Sequence, residues 1–548
     1  MAPVASVFAR AAPPRAAARA AAARGRRPSR ARRALAAASE QAPGGGGSSN
    51  SSEPERNGRL HAAGASGGGD SHLSTEGAKT YGSSSTSFVR VADLPLCPVG
   101  DELAADEAMR SLAAAQEAFL ELGQEEVDSI AHAVAAEANT RRVELARLAV
   151  DETQMGLMED KVVKNHFAAE YVLAKHRDTK TVGIIDAGEA TGVSKTAYPV
   201  GPIASLVPVT NPTSTVIFDV INAMKTRNTI IFLPHPRAAR VSWYAVRLLA
   251  AAAEAAGAPP GCVQCVHPRD IALSDYVMRA DALKFIIATG GNKMVKAALA
   301  VGKPAVSVGA GNCAAIVDET ADLDAACSLI VTGKTFDNGV ICATEQATVV
   351  VQSVAEEVRK RFERRGVHFV VDPAERKRLA DTFYPGGRLN TEVVGKSAKD
   401  IAAMADIYAP DTCVVLAVDA EEIGPSEPFS YEKLCPIMAL YKASNFDDAL
   451  RIQRELAMNG GLGHTCALHT DPDNKERIDQ FQLGSVCMHN LVNTPSSLGA
   501  IGGPYNMALE PSLTLGTGTV AGSTSSMNMG PLALLNYKHT AERREHIE

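Results

Sequence analysis

From about residue 92 the chain carries helical periodicity, with Ala105, Met109, Leu112, Ala113, Phe119 and Leu120 on one face and Gln116 as its polar interruption. Further helices are predicted over 124–138 and over 141–153, the latter leading into Gly156. The pattern changes at Pro199. Short apolar runs at 203–207, 229–233, 263–266, 285–288 and 305–308 then alternate with helical segments near 214–225, 237–256, 271–278 and 292–300. Repeated βαβ units of this kind predict an α/β fold with a buried parallel sheet, right-handed crossovers and ligands at the strand C-termini. No apolar run reaches membrane-spanning length, and the most tempting stretch, 241–256, is broken by Arg247 and Glu254.

The N-terminus is different material. Residues 1–39 hold nine Arg, no Lys and no acid among Ala, Pro and Ser, and the segment 1–40 resembles an organelle transit peptide. The expected location is a plastid ahead of a mitochondrion. Residues 41–90 are rich in Gly and Ser and read as a flexible linker. Residues 1–90 carry 13 of the 55 Arg and Lys and 5 of the 62 acids, leaving 42 basic against 57 acidic residues, net −15, in the body. An acidic body argues against generic nucleic-acid binding. With 548 residues, 46% of them hydrophobic, two or three domains are expected.

Ten cysteines are too sparse for a disulfide framework, and Cys262-Val263-Gln264-Cys265 has no second pair with which to hold zinc, so no metal is expected. Cys342 stands apart. It ends the polar, Gly-containing run Lys334-Thr335-Phe336-Asp337-Asn338-Gly339-Val340-Ile341-Cys342, and a β-branched strand over 347–351 follows. That context makes it the candidate nucleophile among thiols that otherwise pack as small hydrophobes. No Gly-x-Gly-x-x-Gly follows any predicted strand, yet Thr289-Gly290-Gly291-Asn292 runs from strand into helix and could aim backbone N–H groups at a phosphate. Gly pairs after strands are also plain turns, and Gly309-Ala310-Gly311-Asn312 is equally ambiguous alone.

Taken together, ordered blocks over about residues 92–545 resemble the aldehyde dehydrogenase superfamily, and more closely its CoA-acylating branch. They are Val207-Pro208-Val209-Thr210-Asn211-Pro212-Thr213-Ser214-Thr215, Lys225-Thr226-Arg227-Asn228, Pro234-His235-Pro236-Arg237, Ala288-Thr289-Gly290-Gly291, Val308-Gly309-Ala310-Gly311-Asn312 and Phe336-Asp337-Asn338-Gly339-Val340-Ile341-Cys342-Ala343. Glu427-Pro428-Phe429-Ser430-Tyr431-Glu432-Lys433-Leu434, Gly463-His464-Thr465 and Pro511-Ser512-Leu513-Thr514-Leu515-Gly516 complete the set. The resemblance implies a Rossmann-like cofactor domain over 91–333, an α/β catalytic domain over 334–510 and a small β oligomerisation element ending in 511–548. A hairpin at 181–199 and a C-terminal strand within 516–536 would join a homodimer or higher homo-oligomer. The same coverage leads to the expectation that no iron-dependent alcohol dehydrogenase half accompanies this unit.

By the same resemblance Cys342 attacks an aldehyde, hydride passes to NAD, with NADP left open, and a thioester remains on the enzyme. The Asn211 amide and the Cys342 N–H would stabilise the oxyanion; Asn-Pro also commonly opens a turn, and from the residues alone that reading competes. Glu432 would hold the nicotinamide ribose, with Leu434 near the ring. Thr289, Gly290 and Gly291 would pass the phosphates, Val209 and Thr210 would line the cofactor site, and His235 would lie at the adenosine end. Hydrolytic relatives activate water with a Glu before the nucleophile, but residues 282–317 contain no acid. CoA, a better nucleophile, is therefore the expected co-substrate and acyl-CoA the product, acetaldehyde being the default substrate. A hydrolytic enzyme with its base elsewhere, or a non-catalytic scaffold, are the alternatives. His464 reads equally as a residue that deprotonates or positions CoA and as a structural His. Tyr431 stands where several bifunctional relatives have His.

Overall fold

The computed structural model describes residues 89–95, 97–503 and 509–543. The expected leader and all but the last two residues of the expected linker lie outside them. The described chain opens with three helices, Glu102–Leu120, Gln124–Thr140 and Arg142–Thr153, the first capped by the Asp101 carboxylate on Ala104 N–H (2.9 Å). Its buried face includes Ala115, while Ala113 is exposed and Leu120 half-buried, a correction to the expected stripe. Leu112, Gln116 and Phe119 set that face, and Ala115 lies three residues from Leu112 whereas Ala113 is about 100° off it. Buried Gln116 donates to Arg227 O (2.8 Å) and accepts from Thr229 N–H (3.0 Å), tying this helix to the sheet.

Five parallel strands form the first sheet, in the spatial order Val263–Cys265, Ile230–Pro234, Ile203–Val207, Phe285–Thr289 and Ala305–Val308. In chain order that is 3-2-1-4-5, the arrangement of a dinucleotide-binding unit with its switch point beside the first strand. Ile203 and Val207 pack with the helices Pro212–Lys225 and Ala239–Ala255 on one face, while Ala204 and Leu206 pack with Glu102–Leu120, Ile271–Arg279 and Asn292–Ala300 on the other. Burial on both faces explains why these strands read as continuous apolar runs.

The second sheet has seven parallel strands, ordered Val367–Phe369, Val415–Asp419, Ile437–Ala443, Glu345–Val351, Cys313–Val317, Gly463–His469 and Cys487–Val492. Because Cys313–Val317 already belongs to it, the chain changes sheets between Val308 and Cys313 and not at the expected 333/334 boundary. A third, antiparallel sheet joins Gly183–Asp186, Val193–Pro199 and Leu535–Ala541. The hairpin falls within 181–199 as expected, but the returning strand lies at Leu535–Ala541, and most of the Gly/Ser/Thr-rich segment 516–534 is irregular.

Candidate active site

Between the helix Leu323–Thr335 and the strand Glu345–Val351, the chain makes a tight turn in which Asp337 (φ 50°), Asn338 (φ 52°) and Gly339 (φ 74°) are all left-handed. The first two cost on the order of 1 kcal/mol each unless the surroundings hold them. Asp337 is held on every side. Its carboxylate accepts from Leu157 N–H (2.7 Å) and Lys161 Nζ (3.0 Å) and contacts Lys164 Nζ, while its own N–H donates to Asp160 Oδ2 (2.7 Å). The side chains of Lys161, Lys164 and Asp337 are at most 3% exposed. A Cβ at Gly156 would lie 1.9 Å from Asp337 Oδ1, so only glycine fits there. This turn delivers half-buried Cys342 just before the strand.

Asn211 ends the loop after Ile203–Val207 and precedes the helix Pro212–Lys225, yet its side chain makes no capping bond. The carboxamide instead accepts from Lys164 Nζ through Oδ1 (2.5 Å) and donates through Nδ2 to Thr210 Oγ1 (3.1 Å). Lys161 Nζ also donates to Thr210 O (3.1 Å). An ammonium on Oδ1 settles which end of the amide is the donor, because a lysine has nothing to accept with. Burial pulls the Lys164 pKa down to about 8, opposed by Asp337.

Around Cys342 three further groups converge on the connection between the two large sheets. A Cβ at Gly311 would lie 2.0 Å from Cys342 O and 3.1 Å from His464 Cδ2, and Gly311 N–H donates to Glu432 Oε1 (2.7 Å). Burial, then the Glu432 charge, push the Cys342 thiol up to about 12, while the N–H groups of Cys342 and Ala343 and the Lys164 charge oppose them. Burial raises Glu432 to about 7. His464 lies in Gly463–His469 with Nδ1 on Thr465 Oγ1 (2.9 Å), and its buried Nε2 has no hydrogen-bond partner. Burial, with His489 second, holds its pKa down at about 3, so the ring is neutral.

The loop Thr289-Gly290-Gly291 is built differently. Thr289 Oγ1 is buried without a partner, and a Cβ at Gly290 or Gly291 would meet no atom within 4 Å. The helix Asn292–Ala300 starts there, and Asn292 Oδ1 accepts from Ala310 N–H (3.0 Å), joining the two Gly-containing loops. An orphaned hydroxyl, open glycines and a helix start at the switch point fit a dinucleotide pyrophosphate. Val209 and Leu434 pack with Met155, Val340 and Val394, an apolar patch adjoining the nucleophile turn. His235 follows Ile230–Pro234, its Nδ1 accepting from Arg237 N–H (3.1 Å). Tyr431 stacks on Tyr384 (5.1 Å between centroids). The block Lys225–Asn228 is buried scaffold, with Asn228 Nδ2 donating to Leu534 O (2.9 Å). Among the described residues no cluster of His, Cys, Asp and Glu could hold a metal.

The aldehyde dehydrogenase family profile matches residues 92–379, somewhat more than half of the chain. The chain belongs to the aldehyde dehydrogenase family. It is 44% identical over 444 residues to the aldehyde-alcohol dehydrogenase of Clostridium acetobutylicum, covering 81% of this chain and 51% of that protein. An acetylating aldehyde dehydrogenase from Geobacillus thermoglucosidasius superposes with a TM-score of 0.78 at 37% identity, covering 81% of this chain and 98% of the other. A propionaldehyde dehydrogenase from Rhodopseudomonas palustris with bound propionyl-CoA superposes with a TM-score of 0.71 at 27% identity, covering 80% and 94%. The chain thus spans about half the length of the aldehyde-alcohol dehydrogenases it matches and nearly all of its acylating structural neighbours.

Within this aldehyde dehydrogenase unit, Cys342, Glu432 and His464 meet at Gly311, and Asn211 joins the nucleophile turn through Lys164. His235 stands apart at the second strand of the cofactor sheet. Sequence reasoning missed Lys161, Lys164 and Asp337. A signal existed in the helix Met158–His166, where two lysines three residues apart share one face, but lysines on a helix ordinarily face solvent.

Proposed function

We propose that the chain catalyses NAD(P)-dependent, CoA-acylating oxidation of a short-chain aldehyde, acetaldehyde by default, and the reverse reaction. The observation that carries this is the acid-free connection 309–312, which lies against the Cys342 carbonyl with neutral His464 beside it, while Glu432, the carboxylate that meets it, is engaged on Gly311 N–H (2.7 Å). The Cys342 thiolate forms a C–S bond to the aldehyde carbon, and the oxygen takes the charge between Asn211 Nδ2 and the Cys342 N–H. A nicotinamide dinucleotide held at Thr289, Gly290 and Gly291 would supply the hydride acceptor, and loss of hydride from the adduct would leave a thioester on Cys342. The CoA thiol gives its proton to solvent and attacks that thioester as the thiolate, with neutral His464 beside it, and Cys342 leaves as the thiolate.

Acetaldehyde should reduce the nicotinamide only when CoA is present, and stoichiometric acyl-CoA should accumulate. CoA-independent turnover to acetate would overturn the acylating reading, and a Cys342→Ala variant as active as the parent would overturn the nucleophile. We further read 1–40 as an organelle leader, plastid ahead of mitochondrion, on its Arg/Ala composition. Residues 1–90 fused to a fluorescent protein test it by colocalisation with chlorophyll. The antiparallel sheet, with Ile184 62% exposed on an edge strand, supports assembly into a homodimer, which sedimentation checks.

A further inference from the structure

The strand order 3-2-1-4-5 places the adenosine ribose of a bound dinucleotide at the end of the second strand, Ile230–Pro234. Dinucleotide folds commonly use an acid near this point for the ribose 2′-hydroxyl, or an arginine for a 2′-phosphate. Here the chain continues His235-Pro236-Arg237-Ala238-Ala239-Arg240, basic and without an acid. That composition alone would suit a 2′-phosphate. The geometry does not.

Glu152, at the end of the helix Arg142–Thr153, reaches across to the helix Ala239–Ala255 that follows this strand. Its Oε1 accepts from Arg240 N–H (3.0 Å) and its Oε2 from Val241 N–H (2.7 Å). These are first-turn donors of the kind a phosphate would take. Leu148 and Ala149 pack against Ala238 and Val241, which holds the carboxylate in place. The nearby cations point elsewhere. Arg237 Nη1 pairs with Glu392 Oε1 (3.3 Å), Arg240 Nη1 donates to Val91 O (3.3 Å), and burial lowers the His235 pKa, favouring its neutral form.

We propose that Glu152 is the residue that sets dinucleotide specificity, an acid supplied from a different helix that takes up the backbone donors and repels a 2′-phosphate. The inference rests on the nicotinamide-dependent reading above. A carboxylate on the backbone donors that a 2′-phosphate would need is worth at least about tenfold in affinity, so the parent should favour NAD over NADP by that factor or more.

The test uses the full chain as parent, Glu152→Gln and Glu152→Ala, titrated with NADH and with NADPH by nicotinamide fluorescence, alongside kcat/KM for NAD and NADP and thermal midpoints. Both variants should tighten NADPH binding roughly tenfold while NADH binding moves less than about threefold. Weakening of both nucleotides together, with a lowered midpoint, would show only a structural cap and overturn the proposal. So would a parent that binds NADPH as tightly as NADH. Selective nucleotide binding without CoA-dependent turnover would sink the proposed reaction but leave this inference standing.

Discussion

The two sides of Cys342 are built on opposite plans. On the cofactor side, glycines 290 and 291 look into open space and the Thr289 hydroxyl is buried without a partner. Around the turn that carries Cys342 the protein packs against itself: Asp337 against Gly156, Lys164 on both Asp337 and Asn211, Gly311 against the Cys342 carbonyl. The first arrangement leaves donors for a ligand that binds and departs. On the proposed reaction, the second would fix Cys342 and Asn211 before any substrate arrives, so the reaction would bear less of the cost of ordering them.

The sharpest way to break this contrast is Asp337→Asn. It removes the carboxylate that contacts both Lys161 and Lys164, leaving Asp160 as a neighbouring acid that acts on Lys164 through its charge, at an expected cost of about 3–5 kcal/mol, read from the shift in denaturant midpoint. A loss below about 1 kcal/mol would mean the ammonium groups are not what hold the turn. Next comes Asn211→Ala, which removes one oxyanion donor without touching Cys342. It should lower kcat by about 10²–10³-fold, roughly 3 kcal/mol of barrier, with a smaller stability loss of about 1–2 kcal/mol from the acceptor taken from Lys164. A drop in KM alone would remove Asn211 from the chemistry. The glycines give a paired comparison. Gly311→Ala drives a Cβ to 2.0 Å from Cys342 O, whereas Gly290→Ala meets nothing within 4 Å. The first should cost about 1–3 kcal/mol of stability along with activity, and the second about 0.5 kcal/mol or less of stability.

Legibility followed the same divide. The strands 203–207 and 305–308 and the helix 292–300 have the boundaries that periodicity predicts, because burial on both faces of a parallel sheet leaves an uninterrupted apolar run. The nucleophile and the Thr289-Gly290-Gly291 loop were visible too, as a lone thiol after a polar loop and as a strand-to-helix turn. What stayed hidden was chemistry that inverts the usual pattern. In Met158–His166 the lysines are buried and Val163 is 46% exposed, so a hydrophobic-face argument turns that helix the wrong way. Asp337 and Asn338 take left-handed backbone without being glycine, and nothing in their neighbours announces the buried ion pair that holds them. The sheet change was placed late for a related reason. Val308 and Cys313 flank a connection of only four residues, too short to look like a domain boundary.

The smallest effect tests the electrostatics linking the two sides. Glu432, bonded to Gly311 N–H, raises the Cys342 pKa, whereas Lys164, held between Asp337 and Asn211, lowers it. Only the thiolate reacts with iodoacetamide, and with the thiol pushed up to about 12 its thiolate fraction at pH 8 varies in direct proportion to the acidity constant. Glu432→Gln removes the carboxylate charge, lowers the thiol pKa and should speed alkylation of the Cys342 peptide about threefold to tenfold. Lys164→Met removes the cation, raises the thiol pKa and should slow alkylation by a similar factor. Because Glu432 itself titrates near 7, its effect should fade as pH falls below that value, since the parent carboxyl is then neutral like the glutamine. Rates that move in the same direction in both variants would mean that accessibility, not charge, governs the thiol. Opposite shifts would show that the Glu432 charge adds to burial in holding the resting Cys342 thiol protonated, against the Lys164 charge.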